Sequence, residues 1–130
     1  MSSLFTKIVL GEIPCYKVAE DDLFLAFLDV MPLSQGHVLV IPKMEVDNIF
    51  DLDDDLIGKM MVFAKKVANK MKQVIPCKKI GVAVIGLEVP HAHIHLVPIN
   101  SVSDIDFSKP KLSVTKEELQ SMRELIVSVE

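Results

Sequence analysis

The segment His91-Ala92-His93-Ile94-His95-Leu96 alternates strictly between imidazole and apolar side chains. Successive side chains of a β-strand point to opposite faces of the sheet. On a strand, the three histidines therefore share one face and the three apolar residues share the other. Three adjacent imidazoles are costly to desolvate, and they repel one another when protonated. These costs disfavour a purely structural role and favour a functional site on the histidine face.

Local spacing leaves two kinds of chemistry open for this cluster. Two imidazoles spaced His-x-His on a strand can hold zinc, which needs further ligands and usually carboxylate partners. Glu88 is the acidic residue close to the cluster in sequence. Alternatively, one imidazole acts as a nucleophile while its neighbours orient it or move protons. The spacing alone does not choose between the two.

Apolar patterns in the rest of the chain predict a mixed α+β fold in one domain that spans residues 1–130. Side chains that recur at helical spacing predict a long helix from about Asp51 to Ile75. The capping box Thr115-Lys116-Glu117-Glu118 predicts a final helix over about 115–128. Residues 100–114 are polar, and we expect them to be irregular. Four apolar runs predict the strands of a mainly antiparallel sheet: 23–30, 37–41, 79–87 and 91–98.

Charge and composition exclude several classes of partner. The net charge of −4 gives no general attraction to nucleic acid or to anionic membranes. The longest apolar run, Leu23 to Leu28, is too short to span a bilayer. The stretch before Cys15 lacks the apolar core and cleavage site of a signal peptide, and Cys15 and Cys77 form neither a CxxC pair nor a disulfide framework. We therefore expect a cytoplasmic protein without a nucleic-acid or membrane partner.

The histidine segment resembles a known family. His91 to Val97 matches the His-φ-His-φ-His-φ-φ motif (φ, apolar) of the histidine-triad (HIT) family of nucleotide hydrolases and transferases. Upstream segments resemble the family in the same order, so the resemblance covers residues 3 to about 98. These segments are Leu4–Ile8 with Glu12–Pro14, Glu20–Asp22 with Leu25–Val30, and Gly36–Lys43.

This resemblance implies a HIT-like fold in which a five-stranded antiparallel sheet extends across a homodimer. It implies attack on the α-phosphorus of a purine nucleotide or nucleotide conjugate, such as a nucleoside phosphoramidate that yields AMP. A nucleotidyl-histidine forms and is then resolved by water or another acceptor. The family performs this reaction without a metal or another cofactor, so positioning and electrostatic stabilisation have to lower the barrier.

Matching positions in the motif imply a role for each polar residue. His93 is the nucleophile, His95 assists the leaving group, and His91 flanks them. His37 reaches the site from another strand, and Asp29 lies where the family binds ribose hydroxyls. Six apolar residues match the walls around the base: Leu4, Phe5, Ile8, Phe27, Leu28 and Val30.

Two departures from the family pattern change what we expect of the site. Leu87 and Glu88 stand where Gln and Ser or Thr usually contact the phosphate. Strict strand alternation directs Glu88 away from the histidines, unless Pro90 breaks the register. Ser3 and Thr6 occupy the places of a Cys-x-x-Cys that binds structural zinc in some bacterial members, so we expect no such zinc. The altered phosphate contacts keep a nucleotide-binding regulator with vestigial catalysis as an alternative, and a zinc-dependent hydrolase as a weaker one.

Overall fold

The computed structural model describes residues 2–130, so Met1 of the predicted 1–130 domain lies outside the described residues. The core is a five-stranded sheet in which every neighbouring pair of strands is antiparallel. This confirms the predicted α+β class and sheet. The strands are β1 (Lys17–Glu20), β2 (Phe24–Leu28), β3 (Val38–Pro42), β4 (Lys79–Ala83) and β5 (Ile94–Ile99), in the spatial order β1-β2-β3-β5-β4.

Over residues 2–130, three α-helices accompany the sheet: α1 (Leu4–Val9), α2 (Asp54–Val74) and α3 (Lys116–Val127). The capping box predicted for the last helix is present, because Thr115 Oγ1 accepts from the Glu118 N–H and Glu118 Oε1 accepts from the Thr115 N–H. The segment expected to be irregular contains a 3₁₀ turn, Val102–Ile105. Within residues 2–130, none of the helices has the length and apolar character needed to cross a bilayer.

Both faces of the sheet are covered, which explains why β2 and β3 are buried along their whole length. Helix α2 packs on one face and forms the main core there. On the other face, Phe5 of α1 packs with side chains of β2 and β3. The main core includes Phe24, Ala26, Leu28, Val38, Val40, Met60, Phe63, Val67, Met71, Ala92, Ile94 and Leu96. The smaller cluster includes Phe5, Leu25, Phe27, Leu39 and Ile41.

The histidine segment corrects the predicted strand boundaries. Strand β5 begins only at Ile94, because the preceding backbone bonds outside the ladder. The His91 N–H donates to the Val89 carbonyl (2.8 Å), and the Ala92 N–H donates to the Val46 carbonyl (2.6 Å). The alternation of faces nevertheless holds from Ala92 through Leu96, whose apolar members all join the α2 core.

Strand β4 is also shorter than predicted, since it ends at Ala83 rather than Leu87. The residues between β4 and His91 form a loop, in which Gly86 adopts a positive φ of 70°. Glu88 therefore lies in a loop, and strand alternation does not fix the direction of its side chain.

Candidate active site

All four histidines of the chain converge on the face of the sheet that carries α1. Each is nearly inaccessible, with exposed fractions of 0% for His91, 1% for His37, 6% for His93 and 8% for His95. The His93 and His95 ring centroids are 4.8 Å apart, and those of His37 and His95 are 5.1 Å apart. His37 comes directly before β3, and the pairing of Leu39 with His95 brings the two strands together.

A chain of hydrogen bonds sets the tautomers of His37 and His95. The Leu33 N–H donates to His37 Nδ1 (3.1 Å), so a neutral His37 carries its proton on Nε2. His37 Nε2 lies 2.9 Å from His95 Nδ1 and donates to it. A neutral His95 therefore carries its proton on Nε2.

Burial, supported by neighbouring positive groups, lowers the pKa of His37 to about 3 and that of His95 to about 4. Both rings are therefore neutral at pH 7. The Nε2–H of His95 remains as a donor that can face a ligand.

His93 has the opposite tautomer. Its Nδ1 lies 2.7 Å from the His91 carbonyl oxygen, which can only accept, so Nδ1 is the protonated nitrogen. The lone pair on Nε2 is then available for nucleophilic attack. The Phe5 ring stands edge-on to His93, with centroids 5.1 Å apart and an interplanar angle of 89°.

His91 is fixed by a polar network at the start of α1. Its Nε2–H donates to the Pro42 carbonyl (2.8 Å), and its Nδ1 accepts from Ser3 Oγ (2.8 Å). Thr6 Oγ1 donates to Glu45 Oε1 (2.6 Å), which also accepts from the Ser3 N–H. These bonds lower the pKa of Glu45 to about 2. Ser3 and Thr6, which replace the zinc-binding cysteines of some family members, thus take part in a hydrogen-bond network.

Asp29 follows β2 and lies beside His37. Its N–H donates to the His37 carbonyl (2.9 Å), and its Oδ1 accepts from the Met31 N–H (2.9 Å). Asp29 Oδ2 is 3.8 Å from His37 Nε2, and the side chain is 21% exposed. Burial raises the pKa of Asp29, the Met31 N–H and the charge of Lys111 oppose this rise, and the charge of Glu88 adds to it.

Asp29, His37 and His95 also form a group that could hold a metal ion, since their ligand atoms lie within 4.8 Å of one another. Two imidazole nitrogens on one tetrahedral zinc, each about 2.0–2.1 Å from the ion, are roughly 3.3 Å apart. The 2.9 Å between His37 Nε2 and His95 Nδ1 instead matches a direct N–H···N hydrogen bond.

The predicted apolar wall divides between the two faces of the sheet. Phe5 and Phe27 pack edge to face with centroids 5.6 Å apart, and Ile8 packs against them. Leu28 points into the α2 core, so we do not carry it forward as a contact to the base. Leu4 and Val30 are half-exposed, at 49% and 56%.

The loop before the triad is open to solvent. Leu87 is 89% exposed, and Glu88 is exposed as well. Glu88 nevertheless contributes to the raised pKa of Asp29, so its charge acts on the site. Because Glu88 lies in this loop and not on a strand, the predicted direction of its side chain stays a prediction.

Comparison with known proteins agrees with this geometry. The HIT domain family model matches residues 10–102, which include His37 and the whole triad. The chain belongs to the HIT, or histidine-triad, family. Adenosine 5'-monophosphoramidase hnt1 of Schizosaccharomyces pombe is 35% identical over 130 residues, 98% of each chain. An uncharacterized HIT-like protein of Borreliella burgdorferi is 39% identical over 102 residues, 73% of each chain.

A solved structure shows the same fold along nearly the whole chain. The crystal structure of a Hit-like protein involved in cell-cycle regulation from Bartonella henselae has a TM-score of 0.84 at 30% sequence identity. The match covers 98% of this HIT protein and 95% of that chain. The likeness therefore extends over α3 as well as the triad.

Two site residues lie beyond the family match and escaped the sequence analysis. Phe107 packs against His95, with ring centroids 4.6 Å apart, and against His37, at 6.2 Å. Lys111 Nζ lies 5.0 Å from the Phe107 ring centroid and donates to the Phe107 carbonyl (3.2 Å). Neither residue belongs to a local motif, and both sit in the segment predicted only to be irregular.

A surface groove of about 770 Å³ lies between α2 and the β1–β2 hairpin of this HIT protein. Its lining includes Phe24, Phe63 and Val67, which belong to the α2 core. The groove is therefore on the face of the sheet opposite to the histidines, and it is separate from the candidate active site.

Proposed function

We propose that this protein hydrolyses a purine nucleotide derivative at its α-phosphorus, through a nucleotidyl intermediate on His93. One observation carries the proposal. The His91 carbonyl holds the proton of His93 on Nδ1, so the Nε2 lone pair is available beside the Nε2–H donor of His95. A neutral imidazole with a fixed tautomer is a competent nucleophile at pH 7.

The proposed reaction has two steps. His93 Nε2 attacks phosphorus, and the bond to the leaving group breaks with its electron pair on the leaving atom. The His95 Nε2–H stabilises that atom by a hydrogen bond, and solvent supplies the proton that it gains. Water then attacks phosphorus, the phosphorus–Nε2 bond returns its electron pair to His93, and one proton leaves to solvent. Asp29 binds the ribose hydroxyls, and Phe5, Phe27 and Ile8 form the wall of the pocket for the base.

The family and the relatives support a nucleotide hydrolase or transferase. The Schizosaccharomyces pombe relative is named an adenosine 5'-monophosphoramidase, and a Saccharomyces cerevisiae relative carries the same name. Adenosine 5'-phosphoramidate is therefore the first substrate to test. The cytoplasmic location stays a prediction.

His93→Ala is the decisive variant. We expect it to lose at least about a thousandfold in kcat on adenosine 5'-phosphoramidate, because no covalent intermediate can form. AMP affinity should stay within a few-fold, since base and ribose contacts lie elsewhere. Acid quenching of the wild type should trap AMP bound to His93, detected by mass spectrometry of peptides.

Other outcomes separate the alternatives. If His93→Ala keeps a tenth of wild-type activity, His93 is not the nucleophile. A wild type that binds AMP but turns over no phosphoramidate, adenylyl sulfate or dinucleoside polyphosphate supports a regulator. Activity that EDTA abolishes and zinc restores supports a zinc-dependent hydrolase.

We also propose that two copies pair through strand β4 into a symmetric homodimer. Strand β4 is an edge of the sheet, and Val82 on it is 50% exposed. Val84 and Ile85 just beyond it and Met61 on α2 are 43%, 46% and 49% exposed. Pairing of two β4 edges would cover this surface and extend the sheet. Sedimentation should give a dimer at micromolar concentration, and a monomer would contradict the proposal.

A further inference from the structure

Residues 106–112, here called the strap, pack along the histidine cluster after the chain leaves β5. Phe107 is the point of contact, because its ring meets His95 at 4.6 Å and His37 at 6.2 Å between centroids. His95 is the residue whose Nε2–H faces the leaving group under the proposed function. The strap therefore borders the part of the site where the phosphoryl group reacts.

Internal hydrogen bonds form a turn at the start of the strap, and a hydrogen bond at its other end attaches it to the loop between β2 and β3. Asp106 Oδ1 accepts from the N–H and the hydroxyl of Ser108 (2.9 and 2.6 Å), and the Asp106 carbonyl accepts from the Lys109 N–H (3.1 Å). At the other end, the Leu112 N–H donates to the Pro32 carbonyl (2.8 Å), in the loop between β2 and β3. The strap is therefore an ordered segment that packs against the site.

Lys111 is the charged residue of the strap that lies over the Phe107 ring. Its Nζ sits 5.0 Å from the Phe107 ring centroid and donates to the Phe107 carbonyl, which leaves further N–H donors for a ligand. After burial, the Lys111 charge is among the causes that lower the pKa of His37 and of His95. It also opposes the raised pKa of Asp29. The ammonium group therefore lies within electrostatic range of three groups around the site.

The loop before the triad departs from the family pattern at the positions that contact the phosphate. Leu87 and Glu88 stand where the family's phosphate contacts are expected, and they offer an apolar side chain and a carboxylate. Asp29 adds a second carboxylate nearby. An anionic nucleotide brought between these groups needs a compensating cation or several donors.

We propose that Lys111, carried on the strap over the Phe107 ring, binds the α-phosphate of the substrate beside His93 and His95. This inference rests on the proposed function. Lys111 takes the role of the polar phosphate contacts that Leu87 and Glu88 replace in the loop before the triad. The Phe107 ring positions both the Lys111 ammonium group and the His95 ring.

Titration calorimetry with AMP and with adenosine tests this, because the two ligands differ only in the phosphate. Lys111→Gln should weaken AMP binding about tenfold or more, as expected for loss of a charge-assisted hydrogen bond. Adenosine affinity should stay within about twofold, and Lys111→Arg should bind AMP within a few-fold of wild type. Lys109→Gln is the matched control, since it removes one positive charge from an exposed position on the same strap. It should leave both affinities within about twofold.

Three results would overturn the inference. Lys111→Gln and Lys109→Gln with equal AMP affinity would show that the phosphate does not contact Lys111. An equal loss for AMP and adenosine would show that Lys111 acts through packing and not through the phosphate. A wild type that binds neither ligand would overturn the proposed function together with this inference, and it would be seen before any variant is made.

Discussion

His37 Nε2 and His95 Nδ1 lie 2.9 Å apart, and this contact decides where the proton of His95 sits. The Leu33 N–H occupies the other nitrogen of His37 and so fixes the direction of the hydrogen bond. His37 therefore acts on the proposed reaction through His95, as a positioning residue. Removing it frees His95 to rotate or to adopt the other tautomer.

We expect His37→Ala to reduce kcat about tenfold to a hundredfold with little change in AMP affinity. The loss should be larger for phosphoramidates of more basic amines, since these leaving groups depend most on the His95 donor. His37→Gln should recover part of the activity, because its amide N–H can donate to His95 Nδ1. Steady-state kinetics on a series of leaving groups measures this. Equal losses along the series would argue against a role through the leaving group.

Stability should decrease as the pH falls below about 6.5. The folded pKa values of His37 (about 3) and His95 (about 4) lie below the unfolded value of about 6.5, so the unfolded chain binds protons first. Between pH 6.5 and about 4, each of these histidines adds a slope of up to about 1.4 kcal/mol per pH unit to the free energy of unfolding.

Urea unfolding at several pH values from 7.5 to 5 measures this slope. His37→Gln should show a smaller slope than wild type, by up to one proton, even if it is less stable overall at pH 7. The same slope in both proteins would show that His37 is not held neutral by burial.

The network around His91 should affect turnover more than binding. The Thr6 hydroxyl links Glu45 to the N-terminus of α1, and the His91 carbonyl holds the proton of His93. Thr6→Val should lower kcat about fivefold, as expected for loss of one hydrogen bond, with AMP affinity unchanged. Thr6→Ser keeps the hydroxyl and is the matched control. The interpretation fails if the two variants have the same kcat.

The sequence predicts which face of the sheet each side chain of the triad segment occupies, because that information is local. Alternation alone places Ala92, Ile94 and Leu96 on the α2 side and the histidines on the other, and the structure agrees although β5 begins only at Ile94. The same rule does not apply at Glu88, because the backbone before Ile94 lies outside the ladder and bonds to the carbonyls of Val46 and Val89.

Long-range contacts explain what the sequence could not show. Glu45 meets Thr6 across 39 residues, and nothing in the spacing of either residue signals the contact. Phe107 contacts the histidines, and Lys111 lies over its ring, because the chain turns back after β5 and bonds to Pro32. Predicting them requires the tertiary fold, since a lone Phe and a lone Lys in a polar segment are typical of any loop.

Glu88 provides the last prediction, because its carboxylate and the substrate phosphate carry like charges. Glu88 is exposed, yet its charge acts on Asp29, so we expect it to disfavour an anionic ligand. Glu88→Gln should tighten AMP binding about twofold to tenfold at low salt, and Glu88→Ser by a similar amount. The gain should shrink at high salt, because solvent ions screen an exposed charge.

Asp55→Asn is the matched control, since it removes one negative charge from α2, on the other face of the sheet. Calorimetry at two salt concentrations measures the difference. A change of less than twofold at low salt in both Glu88 variants would show that the carboxylate turns away from the phosphate when the nucleotide binds.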